Sequence, residues 1–319
     1  MNILEVKDLT KLYGDFAAVD GIDFAVKRGE IFGFLGPNGA GKTTTINMLT
    51  GLAKITEGTI FLAGIDCVLQ MKKAQELMGI VPDESNLYPE MNGWENLDFC
   101  GALYGMDKRA RNKKAWELLE QVGLKEAARK PFKAYSRGMK RRLTIAAGII
   151  HNPSILFLDE PTTGIDVESA RNIRKLLLDL NKKGTTIFLT THYIEEAERL
   201  CNRIAFIVNG KIVKTDYTSK LLEEAQKKQT VQFTVGGGVH KLQSVLGQAF
   251  PKYKSEVVDE QTIRISSSET VDLIPIIDVF RNNSVTLYEA KVVRPSLEEV
   301  FVKITGIEAK KMKNEGGKK

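Results

Sequence analysis

The chain has 319 residues, and its composition, 43% hydrophobic and 27% charged, is that of an ordinary globular protein with room for about two domains. The net charge of +6 is too small to require a nucleic-acid partner, and the three separated cysteines predict reduced thiols in a cytosolic compartment. No apolar run approaches the ~18 residues of a membrane span, and the start MNILEVKDLTK lacks a signal-peptide core, so we expect any membrane role to act through a partner.

Strands and helices are predicted to alternate over the first two-thirds of the chain. Apolar and alternating patterns predict strands at residues 3–6, 22–26, 30–35, 59–63, 155–158 and 186–190. Helical spacing predicts helices from residue 42 to about 52, at 110–122 and at 169–180. The apolar runs are typical of parallel strands buried on both faces, and Asn209-Gly210 within 204–213 predicts a β-hairpin. Together these elements predict an α/β fold.

The pattern changes after about residue 220. Strands at 229–235, 253–258, 262–266 and 284–293 and helices at 239–248 and 271–282 follow in the order β-α-β-β-α-β. That order is the ferredoxin-like plan, and a last helix is predicted at 295–304. We therefore predict a first domain at 1–219, a small α+β domain at 220–306 and a basic tail at 307–319. The tail is either a solubilising segment or a weak site for anionic lipid headgroups.

A glycine-rich loop lies between a predicted buried strand and a helix. Residues 36–43, GPNGAGKT, match the phosphate-loop pattern G-x-x-x-x-G-K-[ST]. Glycines let the backbone N–H groups converge on an anion, while the lysine pairs with the β- and γ-phosphates and the threonine hydroxyl binds Mg²⁺. The predicted nucleotide-binding residues are Gly36, Pro37, Asn38, Gly39, Ala40, Gly41, Lys42, Thr43 and Thr44.

Two carboxylates, Asp159 and Glu160, end the apolar run at 155–158. Ligands bind at the carboxyl ends of strands in open α/β sheets. We expect Asp159 to hold Mg²⁺ through its water shell and Glu160 to act as the base that polarises water. A plain strand-to-loop exit is the alternative interpretation of these residues.

The stretch YSRGMKRR, residues 135–142, puts three cations in the first turn of a predicted helix, where the helix dipole is already positive. A nucleic-acid patch, a solvated face and a site for a polyanionic ligand are the candidate explanations.

Taken together, these motifs resemble those of the ATP-binding cassette (ABC) ATPases over residues 1 to about 218. Tyr13 matches the aromatic residue that stacks on adenine, and His192 matches the switch histidine that contacts the γ-phosphate. Asp166 matches the acidic residue of the D-loop. The family's signature corresponds to Ser136, Arg137, Gly138 and Met139. The resemblance implies an explanation for the cations of YSRGMKRR: they would lie near a polyanionic ligand, the ATP held by a second subunit.

The resemblance implies a P-loop NTPase: a RecA-like core with antiparallel β and α-helical subdomains, binding ATP and Mg²⁺, with Lys42, Glu160 and His192 as catalytic residues. It further implies two cassettes packed head-to-tail, as a homodimer or a heterodimer with a related cassette. A separate transmembrane permease would hold them at the cytoplasmic face of the membrane. The C-terminal domain resembles the extension of drug, antibiotic and sodium exporter ATPases.

Two positions depart from the family pattern. Asp83 stands where the Q-loop has glutamine, and we expect it to reach Mg²⁺ or its water and to alter metal preference. Arg137 replaces the first glycine of the signature, so its guanidinium could contact phosphate in place of the backbone. We expect Lys140 to Arg142 to adjust the local field rather than contact ligand, and His151 to end the signature helix.

The region 86–104 is rich in large apolar side chains, and the resemblance points to Tyr88, Met91 and Trp94 as contacts for the membrane subunit. The alternative is an ABC ATPase acting on the ribosome or DNA. Such proteins carry two cassettes or a long inserted coiled coil, and residues 52–135 are too short for that insertion. No nucleic-acid partner is therefore expected.

Overall fold

The computed structural model describes residues 1–225, 229–293 and 296–307. The strands are β1 Asn2–Tyr13, β2 Phe16–Lys27, β3 Ile31–Leu35, β4 Glu57–Leu62, β5 Ile65–Asp66, β6 Met78–Val81, β7 Ile155–Asp159, β8 Thr186–Thr191, β9 Arg203–Val208, β10 Lys211–Tyr217, β11 Gln229–Val235, β12 Lys254–Val257, β13 Thr262–Ser267 and β14 Leu287–Val293. The helices are α1 Lys42–Leu49, α2 Met71–Gln75, α3 Gly93–Leu103, α4 Lys108–Gln121, α5 Arg137–Gly148, α6 Val167–Lys182, α7 Ile194–Leu200, α8 Thr218–Ala225, α9 Val239–Ala249, α10 Leu273–Asn282 and α11 Leu297–Thr305.

A six-stranded sheet in the order β10-β9-β3-β8-β7-β6 brings the predicted motifs together. The strands β3, β8 and β7 are parallel neighbours and are buried along their whole length, as their apolar sequences predict. The loops that follow Leu35, Asp159 and Thr191 therefore leave the same edge of the sheet. The prediction of an α/β fold is confirmed.

The edge strand β10 joins the sheet antiparallel to β9 through the predicted two-residue turn. Both turn residues have positive φ, 48° at Asn209 and 76° at Gly210, as a type I′ turn requires. The Gly210 N–H donates to the Ala40 carbonyl at 3.1 Å, and the Gly210 carbonyl accepts from the Asp20 N–H at 2.9 Å. The turn thereby connects the phosphate loop to β2.

A four-stranded antiparallel sheet, β2-β1-β4-β5, shares its core with the larger sheet. Phenylalanine rings from both sheets meet there: the Phe34 ring centroid lies 5.0 Å from that of Phe24 and 5.1 Å from that of Phe188. Such offset and tilted ring pairs are the favourable arrangements for aromatic side chains. The core therefore holds the strand before the phosphate loop from two sides.

Helices α3, α4 and α5 pack against one another. A capping box begins α3, because the Asn92 side chain accepts from the Glu95 N–H and the Glu95 side chain accepts from the Asn92 N–H. Helix α5 begins at Arg137 with Ser136 as its N-cap, so the predicted helix at the signature is confirmed. Among the described residues, no helix has both the length and the apolar character needed to cross a lipid bilayer.

The described chain forms two compact units, one of Met1–Thr218 with the described residues from Phe301 onward, and one of Ser219–Val300. The second unit has strands in the order β12-β13-β11-β14, all antiparallel, with the predicted β-α-β-β-α-β element order. Its core includes Phe233 and Phe280, whose rings meet edge to face at 5.1 Å. The predicted domain 220–306 covers this unit except Ser219, but it also includes the end of α11 from Phe301, which the structure groups with the first unit. Apart from Ile307, the predicted basic tail lies outside the described residues.

Candidate nucleotide site

The phosphate loop runs from the end of β3 to the start of α1. Gly41 is the N-cap of α1 with a φ of 99°, and no side chain caps the helix, so its first N–H groups face the loop. A Cβ atom on Gly41 would lie 2.5 Å from the Ala18 carbonyl oxygen, and one on Gly36 would lie 2.1 Å from the Ile207 carbonyl oxygen. Close backbone packing thus requires glycine at both ends of the pattern, and at Gly41 the positive φ requires it as well.

Lys42 is buried beneath this loop. Its Nζ atom donates to the carbonyl oxygens of Gly36 at 2.9 Å and Pro37 at 3.1 Å. The same atom lies 3.3 Å from Glu160 Oε1, an ion pair with both side chains about nine-tenths buried. The ammonium therefore lies between the backbone of the phosphate loop and the Glu160 carboxylate. Glu160 follows β7, which is separated from β3 by β8 in the sheet.

Glu160 follows β7 with a φ of 47°, an uncommon conformation for this residue type. While Oε1 faces Lys42, Oε2 accepts from His192 Nδ1 at 2.9 Å and from Thr163 Oγ1 at 3.0 Å. Burial by itself raises the pKa of Glu160, but the His192 hydrogen bond and the Lys42 charge outweigh it, so the pKa is lowered. The three predicted catalytic residues form one contact network around an ionised carboxylate.

Asp159 is buried at the end of β7, and its Oδ1 accepts a hydrogen bond from Thr190 Oγ1 on β8. Asp83 lies close enough to sense this carboxylate and Glu160: partial burial and these negative charges raise its pKa more than Arg141 lowers it. Thr43, the predicted hydroxyl ligand, is exposed at the start of α1. In the described parts of the chain no three His, Cys, Asp or Glu side chains lie close enough to hold a metal ion by themselves.

Arg141 is the residue that the sequence analysis underestimated. The prediction for Lys140 to Arg142 was an adjustment of the field, yet Arg141 is buried and binds four backbone carbonyls. The acceptors are Pro82, Asp83, Asp159 and Pro161. One guanidinium therefore joins α5, the Q-loop and the end of β7. Arg142 makes a similar but smaller contact, donating to the Val122 carbonyl at 2.7 Å.

The signature lies against the D-loop of the same chain. Arg137 Nη1 donates to the Gly164 carbonyl at 3.2 Å, and Ser136 Oγ accepts from the Met139 N–H at 3.3 Å. A Cβ atom on Gly138 would lie 2.3 Å from Ser169 Oγ, in the first turn of α6. Asp166 caps α6 by accepting from the Ser169 N–H at 2.9 Å. Ser136 and Asp166 are therefore both helix caps as well as predicted nucleotide and D-loop residues.

A buried carboxyl that the sequence analysis missed lies next to this network. Glu196 on α7 is 3% exposed, and its Oε1 accepts from Thr162 Oγ1 at 2.6 Å. Burial raises the pKa of Glu196, and the nearby Glu160 raises it further. It joins the segment after Glu160 to the helix after His192. Glu196 lies four residues after His192, and the sequence around it has no pattern that could have indicated this role.

The remaining predicted residues lie apart from this network. Tyr13 is about half exposed, with Lys11 Nζ 4.9 Å from its ring centroid. Tyr88 is exposed, whereas Met91 and Trp94 are partly buried and the Trp94 ring is covered by the Arg129 guanidinium. The expectation that His151 ends the signature helix is wrong: α5 ends at Gly148, and His151 Nε2 hydrogen-bonds the Met78 carbonyl at 2.9 Å.

Comparison with known proteins identifies the fold and the motifs. The sequence profile of the ABC transporter family matches residues 19–163, and that of the amino acid permease N-terminal region matches 255–310. The chain is 37% identical to the linearmycin resistance ATP-binding protein LnrL of Bacillus subtilis over 311 residues, 95% of this chain and 98% of that protein. It is 36% identical to the Nod factor export ATP-binding protein I of Ralstonia nicotianae over 315 residues, 96% and 94% of the two chains.

Solved structures agree with this assignment. A dimeric ATP-binding cassette in a post-hydrolysis state, bound to ADP and Pi, superposes with a TM-score of 0.62 at 28% identity, covering 67% of this chain and 98% of that one. CbiO1 of Clostridium perfringens, part of an ABC transporter complex, gives 0.64 at 26% identity, covering 78% and 96%. With the phosphate loop, the Lys42–Glu160–His192 network and near full-length relatives in agreement, the chain belongs to the family of ABC transporter ATP-binding proteins and is an ATPase.

Proposed function

We propose that this chain hydrolyses Mg-ATP in a closed dimer and drives a membrane exporter, with Glu160 as the base that polarises the attacking water. The observation that supports this role is the ionised Glu160 carboxylate, held by His192 Nδ1 at 2.9 Å and paired with Lys42 Nζ at 3.3 Å. When phosphate enters the loop, the Lys42 ammonium is placed to exchange its carbonyl contacts for phosphate oxygens. His192, held by the same carboxylate, would then contact the γ-phosphate.

The donor set at the ends of β3 and β7 fits Mg²⁺, which prefers oxygen ligands and keeps several waters. The proposed ligands are the Thr43 hydroxyl, the Asp159 carboxylate through water, and Asp83. Burial raises the pKa of Asp83, and the charges of Asp159 and Glu160 raise it further; a cation nearby would offset that concentration of negative charge. The metal would neutralise charge on the phosphates.

The proposed dimer places the signature of one chain over the phosphate loop of the other. Ser136, Gly138 and the N-terminus of α5 offer hydroxyl and N–H donors, and Arg137 offers a guanidinium. Their contacts with the D-loop of their own chain support a joint movement of the two motifs. Tyr13 would stack on the adenine ring. Because this chain carries each motif once, the proposed assembly is a homodimer or a heterodimer with a related cassette.

The proposed partner is a separate transmembrane permease that anchors the dimer at the cytoplasmic face of the membrane. Full-length relatives named for linearmycin resistance and Nod factor export support export as the direction. Tyr88, which is exposed, and Met91 and Trp94, which are partly buried, are the proposed permease contacts.

The E160Q variant tests the dimer. With Mg-ATP it should form a dimer that persists in sedimentation at protein concentrations at which the nucleotide-free wild-type chain dissociates, because binding is kept and hydrolysis is lost. Glu168→Gln, an exposed change in the first turn of α6, is the matched control. An E160Q protein that stays monomeric with Mg-ATP contradicts the scheme.

Purification from membranes tests the partner. A polytopic membrane protein should co-purify with the tagged chain, and substitution of Tyr88 by Asp should reduce its recovery. Recovery of ribosomes or DNA instead would support the alternative function and refute export.

A further inference from the structure

β14 of the second unit is an edge strand. It follows β11 as the last strand of the sheet order, and within the described residues no strand pairs with its outer side. Of its seven residues the middle five are exposed, including Tyr288 at 67% and Val292 at 49%. An edge strand of this length offers unpaired N–H and C=O groups to a further strand.

The face of this strand is less polar than an edge usually is. Val292 pairs with Val231 and Ala290 pairs with Phe233, so both lie on the sheet face that carries the buried core. Over β11 that face is covered, whereas at β14 the side chains are exposed. Charged side chains on an edge strand commonly prevent another strand from pairing with it. Glu289 and Lys291 have opposite charges, so their effect depends on which residues of a partner strand they face.

The sequence LYEAKVV is self-complementary about Ala290. In an antiparallel pair of two such strands related by a two-fold axis at Ala290, Glu289 faces the second copy's residue 291 and Lys291 faces its residue 289. The pairing with β11 has a register shift between Leu287 and Glu289, so the regular part of the strand that carries this register is 289–292. Opposite charges are favourable cross-strand neighbours.

No other register is matched in this way. Moving the axis to Glu289 or to Lys291 places two carboxylates or two ammonium groups opposite each other, and an in-register parallel pair aligns like charges throughout. Odd shifts would put charges on the face that carries Val292. The axis at Ala290 is therefore the register in which both charged residues face a residue of opposite charge.

We propose that the second unit associates with a second copy of this chain through antiparallel pairing of β14, with its two-fold axis at Ala290. The interface is isologous, and the pairing would join the two four-stranded sheets into one. It needs no nucleotide, so it is separate from the ATP-dependent dimer and can hold two subunits together when the cassettes are open.

Charge reversal in the full-length chain tests the register. Sedimentation without nucleotide and with a chelator should show a dimer, and E289K or K291E alone should weaken it about tenfold because two attractive pairs become repulsive. The double variant E289K/K291E should regain the wild-type affinity, and a mixture of the two single variants should form heterodimers. These residues are exposed, so folding is not at risk.

A disulfide provides the second measurement. Ala290→Cys sits on the axis, where facing Cα atoms of antiparallel strands are about 4.5–5.5 Å apart, within the range for a disulfide. Oxidation should link the chains, whereas Glu256→Cys on β12, the opposite edge, should not. A monomeric wild-type chain, a double variant no better than the single ones, or equal cross-linking at residue 256 would overturn the proposal. An E160Q dimer that forms with Mg-ATP in the E289K background would leave the proposed ATPase cycle intact.

Discussion

His192 Nδ1 donates to the same Glu160 oxygen that accepts from Thr163, so His192 helps to lower the pKa of the carboxyl that follows the neighbouring strand. The contact joins β7 to the segment after β8, which are adjacent in the sheet. Glu160 depends on this contact and on Lys42, since burial alone would raise its pKa.

The pH profile of H192A tests this coupling. In the wild type the lowered pKa keeps Glu160 ionised through the neutral range, and the activity is lost as pH falls through that pKa. Without His192 the Glu160 pKa rises, so the acid limb of the kcat profile should move to higher pH, in addition to a loss of about 10²-fold or more in kcat. A profile that is lower but not shifted would contradict the coupling. Measuring the phosphate release rate of both proteins from below the ordinary carboxyl pKa up to neutral pH gives both quantities.

Arg141 is expected to be the strongest stability determinant among the three signature cations. Replacing it by Met removes the guanidinium donor from four carbonyl oxygens, two of them in buried hydrogen bonds, so the free energy of unfolding should fall by about 3–5 kcal/mol. Lys140→Met, in a partly exposed neighbour, should change it by less than about 1 kcal/mol. Urea unfolding followed by fluorescence measures both, and equal losses would refute the structural role of Arg141.

The buried Glu196 should make the stability of the protein depend on pH, in the direction opposite to that expected for a carboxyl with a lowered pKa such as Glu160. Its folded-state pKa is raised by burial, so its contribution is fully present below the ordinary carboxyl pKa and is lost as pH rises through the folded value. Glu196→Gln cannot ionise. The unfolding free energy of E196Q relative to wild type should therefore increase with pH, by up to about 1.4 kcal/mol for each unit of the raised pKa. Thermal unfolding between pH 5 and 8 measures it, and a difference that is constant with pH would argue against a buried ionisable Glu196.

Asp83→Gln tests the unusual Q-loop residue. Replacing its carboxylate by a neutral amide should raise the Mg²⁺ concentration for half-maximal ATPase activity severalfold, because a charged oxygen ligand becomes an uncharged one. Glu84→Gln, next to it in the same loop, should leave the Mg²⁺ dependence close to wild type. A D83Q titration that overlays the wild-type curve would exclude Asp83 from the metal site.

The parts of the fold that sequence could predict are those that depend on local pattern. The buried runs at β3, β7 and β8 and the Asn209-Gly210 turn follow from period and turn chemistry, and the structure has them within a residue or two. Helix α3 was not predicted, because its sequence GWENLDFCGAL has a glycine at Gly93 and another at Gly101 that weaken helical propensity. Gly101 is needed there for packing, since a Cβ atom would lie 2.9 Å from Arg111 Cβ.

The residues of the candidate site also fall into those that the sequence could predict and those that it could not. Lys42, Asp159 and Glu160 stand within short motifs whose chemistry is visible in the residues themselves. Arg141 and Glu196 escaped because their partners are backbone carbonyls and a hydroxyl that are distant in sequence. Arg141 does lie three residues after the buried Gly138 on α5, on the inner face of the helix, and this spacing was the one available signal.

The turn at Asn209-Gly210 extends the nucleotide site beyond its motifs. The Gly210 N–H donates a hydrogen bond to the Ala40 carbonyl. The conformation of the phosphate loop therefore depends partly on a hairpin that lies more than halfway along the chain. Natural variation at this turn would then adjust ATP affinity without changing any residue that contacts ATP. A cassette's nucleotide affinity is in that sense a property of its sheet edge as well as of its glycine-rich loop.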